Sequence, residues 1–365
     1  MTTNRDRDRT GAARVADRLG AYVLPGRVAD PRPAIGQAQT AEHLGLGTVW
    51  LSERWGTKDF GVLAGAIGQA TSRVRIASGI THFLVRHPVV LASTAMTAQA
   101  LTGGRLTLGF GRSVGPMWKA VGLPAMTNQV LVDSADMLRR LCRGEKVSYD
   151  GPAGRFPVMR LGDLPDVAPP ELVFAAIGPK SLALAGAHFD GALLHPFLTP
   201  EAVARSVAIV RKAAAEAGRD PSTVKVYATV VVAPDLTPEE ETAVVGARAV
   251  TYFQIPGFGE RLAGVNEWGV EPLAALRSHP LMVGLRGSAD NVFTRHQLLD
   301  VAGTLPPSWL TDAAAVGSAG EVAARLDDYL DAGADELVLH GSTPELLGPV
   351  LQHFAARTPA NAVGA

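Results

Sequence analysis

Short, predominantly apolar runs alternate along the chain with longer stretches in which apolar residues recur at helical spacing. The runs fall at 21–24, 47–53 (GTVWLSE), 74–81 (VRIASGIT), 105–111 (RLTLGFG), 172–177, 192–197, 225–233 and 336–340. None alternates strictly between apolar and polar positions, as a strand with one wet face does. They read as strands buried on both faces, the condition of a parallel sheet covered by helices. Helical spacing between them predicts helices over 31–44, 60–70, 87–101, 128–143, 180–188, 200–217 and 319–332. Two stretches interrupt the alternation. One is Gly- and Pro-rich, near 146–170, and reads as a hairpin-like excursion; the other, near 238–310, reads as helical and irregular.

Eight buried strands separated by helices predict a closed (β/α)8 TIM barrel with inserted segments, a single α/β domain over 19–357. The competing reading is a six-stranded Rossmann sheet. It requires a glycine fingerprint directly after the first strand, and Pro25-Gly26-Arg27-Val28 is not one. Residues 1–18, polar and rich in Arg and Asp, are expected to form a disordered tail, and 358–365 a second tail.

Composition narrows the function classes. Of 365 residues, 47% are hydrophobic and 19% charged, which excludes a disordered chain and leaves enough apolar surface for one large core. The formal net charge of −1 gives no global field to attract nucleic acid or an anionic membrane. Cys142 is the lone cysteine, so no intrachain disulfide or cysteine-based zinc cluster can form, and no metal is expected. The N-terminal stretch lacks the apolar segment of a signal peptide, and no apolar run reaches the ~20 residues of a membrane span. A cytoplasmic protein acting on a small molecule is the expectation.

Barrel active sites lie where the strands end, and several runs here end in unusual chemistry. The fourth ends in Gly109-Phe110-Gly111-Arg112-Ser113: glycines that allow close backbone approach, then a fixed cation. The fifth ends in Ile177-Gly178-Pro179-Lys180-Ser181, where a glycine leads into a helix whose first N–H groups attract an anion. Each has an ordinary turn as its alternative, but two such loops on one rim, with Arg112 and Lys180, point to a phosphorylated ligand. Glu53, beside Arg54 at the second strand end, reads either as a cofactor contact or as a rim salt bridge. His82 and His195 are acid–base candidates because imidazole titrates near neutrality, and His340 ends the last strand facing the same mouth. Trp55, Trp118, Tyr252 and Phe253, with Phe197 at the sixth strand end, are candidates to wall a pocket for a flat ring, or else core. Patterns of zinc hydrolases, nucleophile elbows, P-loops and EF-hands are absent.

Taken together, these loops resemble the luciferase-like monooxygenase superfamily, and within it the actinobacterial branch that uses the deazaflavin coenzyme F420. The resemblance rests on 41–54 (AEHLGLGTVWLSER), 79–81 with 86–88, 101–112 (LTGGRLTLGFGR), 147–151, 178–182 and 317–318 with 333–335. It implies a TIM barrel with the cofactor ring across its mouth. It also implies a bulge with a non-proline cis peptide at Gly79-Ile80 behind the ring. Contacts to the phosphate-bearing tail map to Gly111, Arg112, Ser113, Gly178 and Pro179. In some relatives an Asp-His pair ends the second strand and takes part in proton transfer. Here Glu53-Arg54 stands there, and arginine is a poor general base. The proton then falls to His82 or His195, with His82 preferred because it follows the bulge. The implied activity is hydride transfer between F420 and a small organic substrate. An FMN-dependent monooxygenase and a non-catalytic F420-binding protein are the alternatives. A homodimer is expected from the resemblance alone.

Overall fold

The computed structural model describes residues 15, 17–112, 118–119 and 121–357. Eight parallel strands close into a barrel. They are β1 (Leu19–Tyr22), β2 (Thr48–Leu51), β3 (Arg75–Ser78), β4 (Leu106–Phe110), β7 (Glu171–Ala176), β8 (Gly191–Leu194), β9 (Lys225–Pro234) and β11 (Glu336–His340). They pair in that order around the ring. Closure comes from β11, which pairs with β9 through Glu336↔Tyr227 and with β1 through Leu19↔Leu337.

The excursion after β4 is an antiparallel hairpin, β5 (Val147–Gly151) with β6 (Gly154–Met159). The helices that cover the ring include α1 (Pro33–His43), α2 (Phe60–Ala70), α3 (Pro88–Leu101), α4 (Asn128–Cys142), α5 (Pro179–His188) and α6 (Pro200–Glu216). Among them in the long segment after β9 are α7 (Ala247–Phe253) and α8 (Phe258–Val265), which contribute to the wall of the mouth, and α9 (Pro272–Ser278). No described helix is long and apolar enough to cross a membrane.

Both faces of the strands are covered, which is why their sequences do not alternate. The outer faces pack on the helices in one continuous core, while Trp50, Ala77, Val173, Tyr227 and Val338 fill the barrel interior. The barrel floor is polar but paired: Glu336 is ion-paired with Arg75 and accepts from the Trp50 indole at 3.5 Å.

Two details depart from the sequence expectation. The first strand lies two residues earlier than expected, because Leu24 takes a left-handed backbone (φ 49°) that ends the extended run. An additional strand, β10 (Ala314–Gly317), pairs with Val231–Pro234 at the overhanging end of the ten-residue β9. Its four-residue AAVG run is too short to be told from a turn by periodicity.

Candidate active site

The apolar runs that end the second, third, fifth and sixth barrel strands in sequence overshoot the strands themselves. Residues 52–53, 79–81, 177 and 195–197 leave the ladder and line or support a cavity of about 390 Å³ at the C-terminal mouth. Gly79, Ile80, Gly111, Arg112, Ile177, His195 and Tyr252 come together on its wall.

The Gly79–Ile80 peptide is cis. The Gly79 carbonyl accepts from the Tyr22 hydroxyl at 3.1 Å and from the Ser52 hydroxyl at 2.9 Å, so two neighbouring strand ends hold the bulge. Gly111 lets the next strand approach it: a methyl group added there would stand 2.0 Å from Ile80 Cδ1.

One side of the cavity is cationic. Arg112 donates to the Met126 carbonyl at 2.6 Å and to Asn128 Oδ1. Its carbonyl accepts from the Trp118 indole at 2.6 Å, which fixes the backbone. Burial, and then the like charge of Arg261, pull the Arg112 guanidinium below its ordinary pKa. Arg261, on α8, lays its stem over Gly178, 3.8 Å from where a β-carbon would be. Gly178 starts α5 without a side-chain cap. Two guanidinium groups thus meet at a helix N-terminus, and neither has a carboxylate partner among the described residues. That arrangement attracts an anion.

His195 stands beside them. Its Nδ1 lies 2.7 Å from the Pro196 carbonyl, which can only accept, so Nδ1 carries the proton and Nε2 the lone pair. Tyr252 and Phe258 meet the ring edge-on at 4.4 and 5.1 Å. Burial pushes its pKa down to about 4, against the Pro196 hydrogen bond, so the imidazole is neutral at pH 7.

The other expected site residues lie elsewhere. Glu53, with its side chain 1% exposed, is ion-paired with Arg86 and accepts from the Thr81 hydroxyl at 2.6 Å, which makes it a rim salt bridge behind the cavity wall. Arg54 is ion-paired with Asp290. Trp118 and Phe197 are buried in the core, and Trp55 is an exposed residue tilted against Trp118. Pro179 and Lys180 are exposed and do not line the cavity. Phe253 packs on Trp309. Ser113 and the two expected tails, apart from residues 15, 17 and 18, lie outside the described residues.

His82 is withdrawn from the cavity because its ring packs edge-on against Trp118 at 4.8 Å. Tyr22, Ser52, Arg261 and Ser288 are site residues that the sequence reading did not single out. Arg261 sits in the irregular segment, where no strand end marks it.

Residues 7–336 match the family model described as luciferase-like monooxygenase. The chain belongs to this family. A 5,10-methylenetetrahydromethanopterin reductase of Methanolobus tindarius is 24% identical over 310 residues, covering 82% of this chain and 87% of that one. An F420-dependent hydroxymycolic acid dehydrogenase of Mycobacterium tuberculosis is 31% identical over 202 residues, covering 52% and 55%. The structure of a coenzyme F420 dependent tetrahydromethanopterin reductase from Methanopyrus kandleri superposes with a TM-score of 0.76 at 18% identity, over 94% of this chain and 99% of that one. This luciferase-like protein is therefore an enzyme, and its relatives are oxidoreductases.

In this luciferase-like barrel His82 has a measurable structural role. It is 7% exposed, neither ring nitrogen has a hydrogen-bond partner among the described residues, and burial pushes its pKa down to about 4. An unfolded histidine titrates near 6.5, so between those values the unfolded chain holds a proton that the native chain does not. Stability from this residue is complete above about pH 6.5 and is lost as pH falls toward 4, by roughly 3 kcal/mol. Urea unfolding at pH 7 and pH 4.5 should show a smaller acid loss for His82→Phe than for the natural chain. Equal losses would mean His82 is protonated in the native protein.

Proposed function

We propose that the protein is an F420-dependent oxidoreductase that moves a hydride between the deazaflavin and a small organic substrate. One combination carries this reading: the held Gly79–Ile80 bulge and the Arg112–Arg261 pair, which has no carboxylate partner among the described residues, border the same cavity. Relatives named for F420 support it. The residues present fit such a cofactor. Ile80, Ala175 and Ile177 offer apolar surface to a flat ring, and the two guanidinium groups offer charge to an anionic tail.

Bound F420 would supply the hydride donor or acceptor. The chain supplies binding, orientation and the path of the proton. Tyr22 and Ser52 hold the bulge against which the ring would lie. Arg112 and Arg261 bind the tail. His195 is held by Pro196 in the tautomer that leaves the Nε2 lone pair available, and in the oxidative direction Nε2 accepts the proton of a substrate hydroxyl. Tyr252 and Phe258 fix the imidazole plane and keep water from its edges. Arg54 takes no part in proton transfer, because it is permanently charged and bound to Asp290.

The test is titration of the purified protein with F420 and with FMN, followed by turnover under air and under nitrogen. Saturable F420 binding with oxygen-independent turnover is expected. Tight FMN binding with oxygen consumption and no F420 affinity would assign an FMN monooxygenase instead. Saturable F420 binding without redox change across a broad substrate panel would assign a binding protein.

A further inference from the structure

Across the mouth from the Arg112–Arg261 pair, on the β11–β1–β2 side, four more basic side chains crowd behind the cavity wall. Arg54 and Lys58 come from the loop after β2, Arg248 from α7, and Arg295 from the segment before β10. Among the described residues one carboxylate serves them. Asp290 is ion-paired with Arg54 and lies 3.4 Å from Arg248, while its other oxygen accepts from the Ser288 hydroxyl at 2.6 Å. Among the described residues the Lys58 ammonium, 1% exposed, has the carbonyls of Leu24 at 2.9 Å and Gly26 at 2.8 Å as its hydrogen-bond partners. The Arg295 side chain has no hydrogen bond or ion pair among the described residues.

The guanidinium ends converge. A methyl group placed on Gly26 would stand 3.0 Å from Arg248 Nη2 and 3.1 Å from Arg295 Nη2, so both flank one small space. Buried like charges at such spacing repel, and one carboxylate cannot balance three guanidinium groups. Burial, and then Arg54 and Arg248, pull the Lys58 ammonium pKa down to about 7. A second, independent observation lies beside them. His340, at the end of β11, is 5% exposed and lines the cavity, and its buried Nδ1 has no hydrogen-bond partner among the described residues. Its ring meets Tyr22 at 4.6 Å. Ser288, which lines the same wall, links the cavity to Asp290.

We propose that Arg248, Arg295 and His340 form a subsite for an anionic group of the substrate, a carboxylate or a phosphate. The inference rests on the reading of the mouth as the place where cofactor and substrate meet. The cofactor tail would leave over β4 and β7, and the substrate anion would anchor over β11 and β1. The substrate is thus an organic acid or a phosphate ester, held by its charge at one end. Its reacting carbon is left toward His195.

The subsite can be tested without knowing the substrate. The natural anion-binding pair is first removed with Arg261→Ala, and inorganic phosphate and acetate are titrated into this chain and into Arg261→Ala/Arg295→Gln. Sodium chloride at equal ionic strength is the reference. Millimolar phosphate, acetate or both should raise Tm in the first chain, and Arg295→Gln should weaken that binding at least 10-fold. Which anion acts distinguishes the phosphate ester from the carboxylic acid. Because Arg295→Gln relieves repulsion, it should leave the unliganded Tm equal or higher.

Identical anion responses in both chains would overturn the subsite, as would a lowered unliganded Tm with no loss of anion binding. F420 affinity of the single Arg295→Gln chain separates the two readings. A loss there as large as that of Arg261→Ala would place the cofactor, not the substrate, on this cluster. Loss of anion binding in a protein that never binds F420 would retire the cofactor reading and leave the anion subsite standing.

Discussion

Replacing His195 with asparagine should lower turnover at saturating substrate by ~100-fold or more while F420 affinity stays unchanged. Asparagine keeps a donor for the Pro196 carbonyl but has no lone pair of comparable basicity where Nε2 stands. The variant therefore separates a proton role from a packing role. With the His195 pKa near 4, the natural enzyme working in the oxidative direction should hold its rate through neutrality and lose it as pH approaches 4. The lost activity tracks protonation of the base. The variant should lack that acid limb. Natural turnover in His195→Asn would mean that solvent carries the proton.

The second large effect concerns the cofactor tail. Arg261→Ala should raise the F420 dissociation constant roughly 10- to 100-fold, the scale of one lost charge-assisted contact of about 1.5–3 kcal/mol. Arg112→Ala should weaken binding on the same scale. It is the less clean probe, because Arg112 also ties the Met126 carbonyl and Asn128, at the start of α4, to the end of β4. Fluorescence titration at two salt concentrations checks both variants. The natural chain should lose affinity with salt more steeply than either variant, since fewer cations then face the anion. An unchanged dissociation constant in Arg261→Ala would mean that the tail leaves the cavity by another route.

The glycine-rich strand ends were legible because close approach permits nothing larger. Gly111 against Ile80 is such a place, and it is also where the cavity forms. The histidines were legible only as a set. His82, His195 and His340 each stand at or just beyond a strand end, and their order along the chain says nothing about which ring meets the cavity. Packing separates them: Trp118 takes His82 out of the wall, while Pro196 and Tyr252 set His195 into it. Glu53 follows the same logic. A carboxylate at a strand end suits a cofactor or a neighbour equally well, and Arg86, 33 residues away, makes it a salt bridge.

What the sequence by itself determined is the barrel and the level of its mouth. Runs apolar on both faces leave a strand no stable place except between a packed interior and a helical layer, and eight of them can satisfy their edges by closing. Those properties are local and periodic, so they survive in one dimension. Tertiary structure alone decided the charge pattern around the mouth. Arg261 meets Arg112, and Arg54, Lys58, Arg248 and Arg295 gather on Asp290, because α7, α8 and the segment before β10 fold back over the strand ends. Electrostatic interaction depends on distance in space and on burial, and neither has a period along the chain.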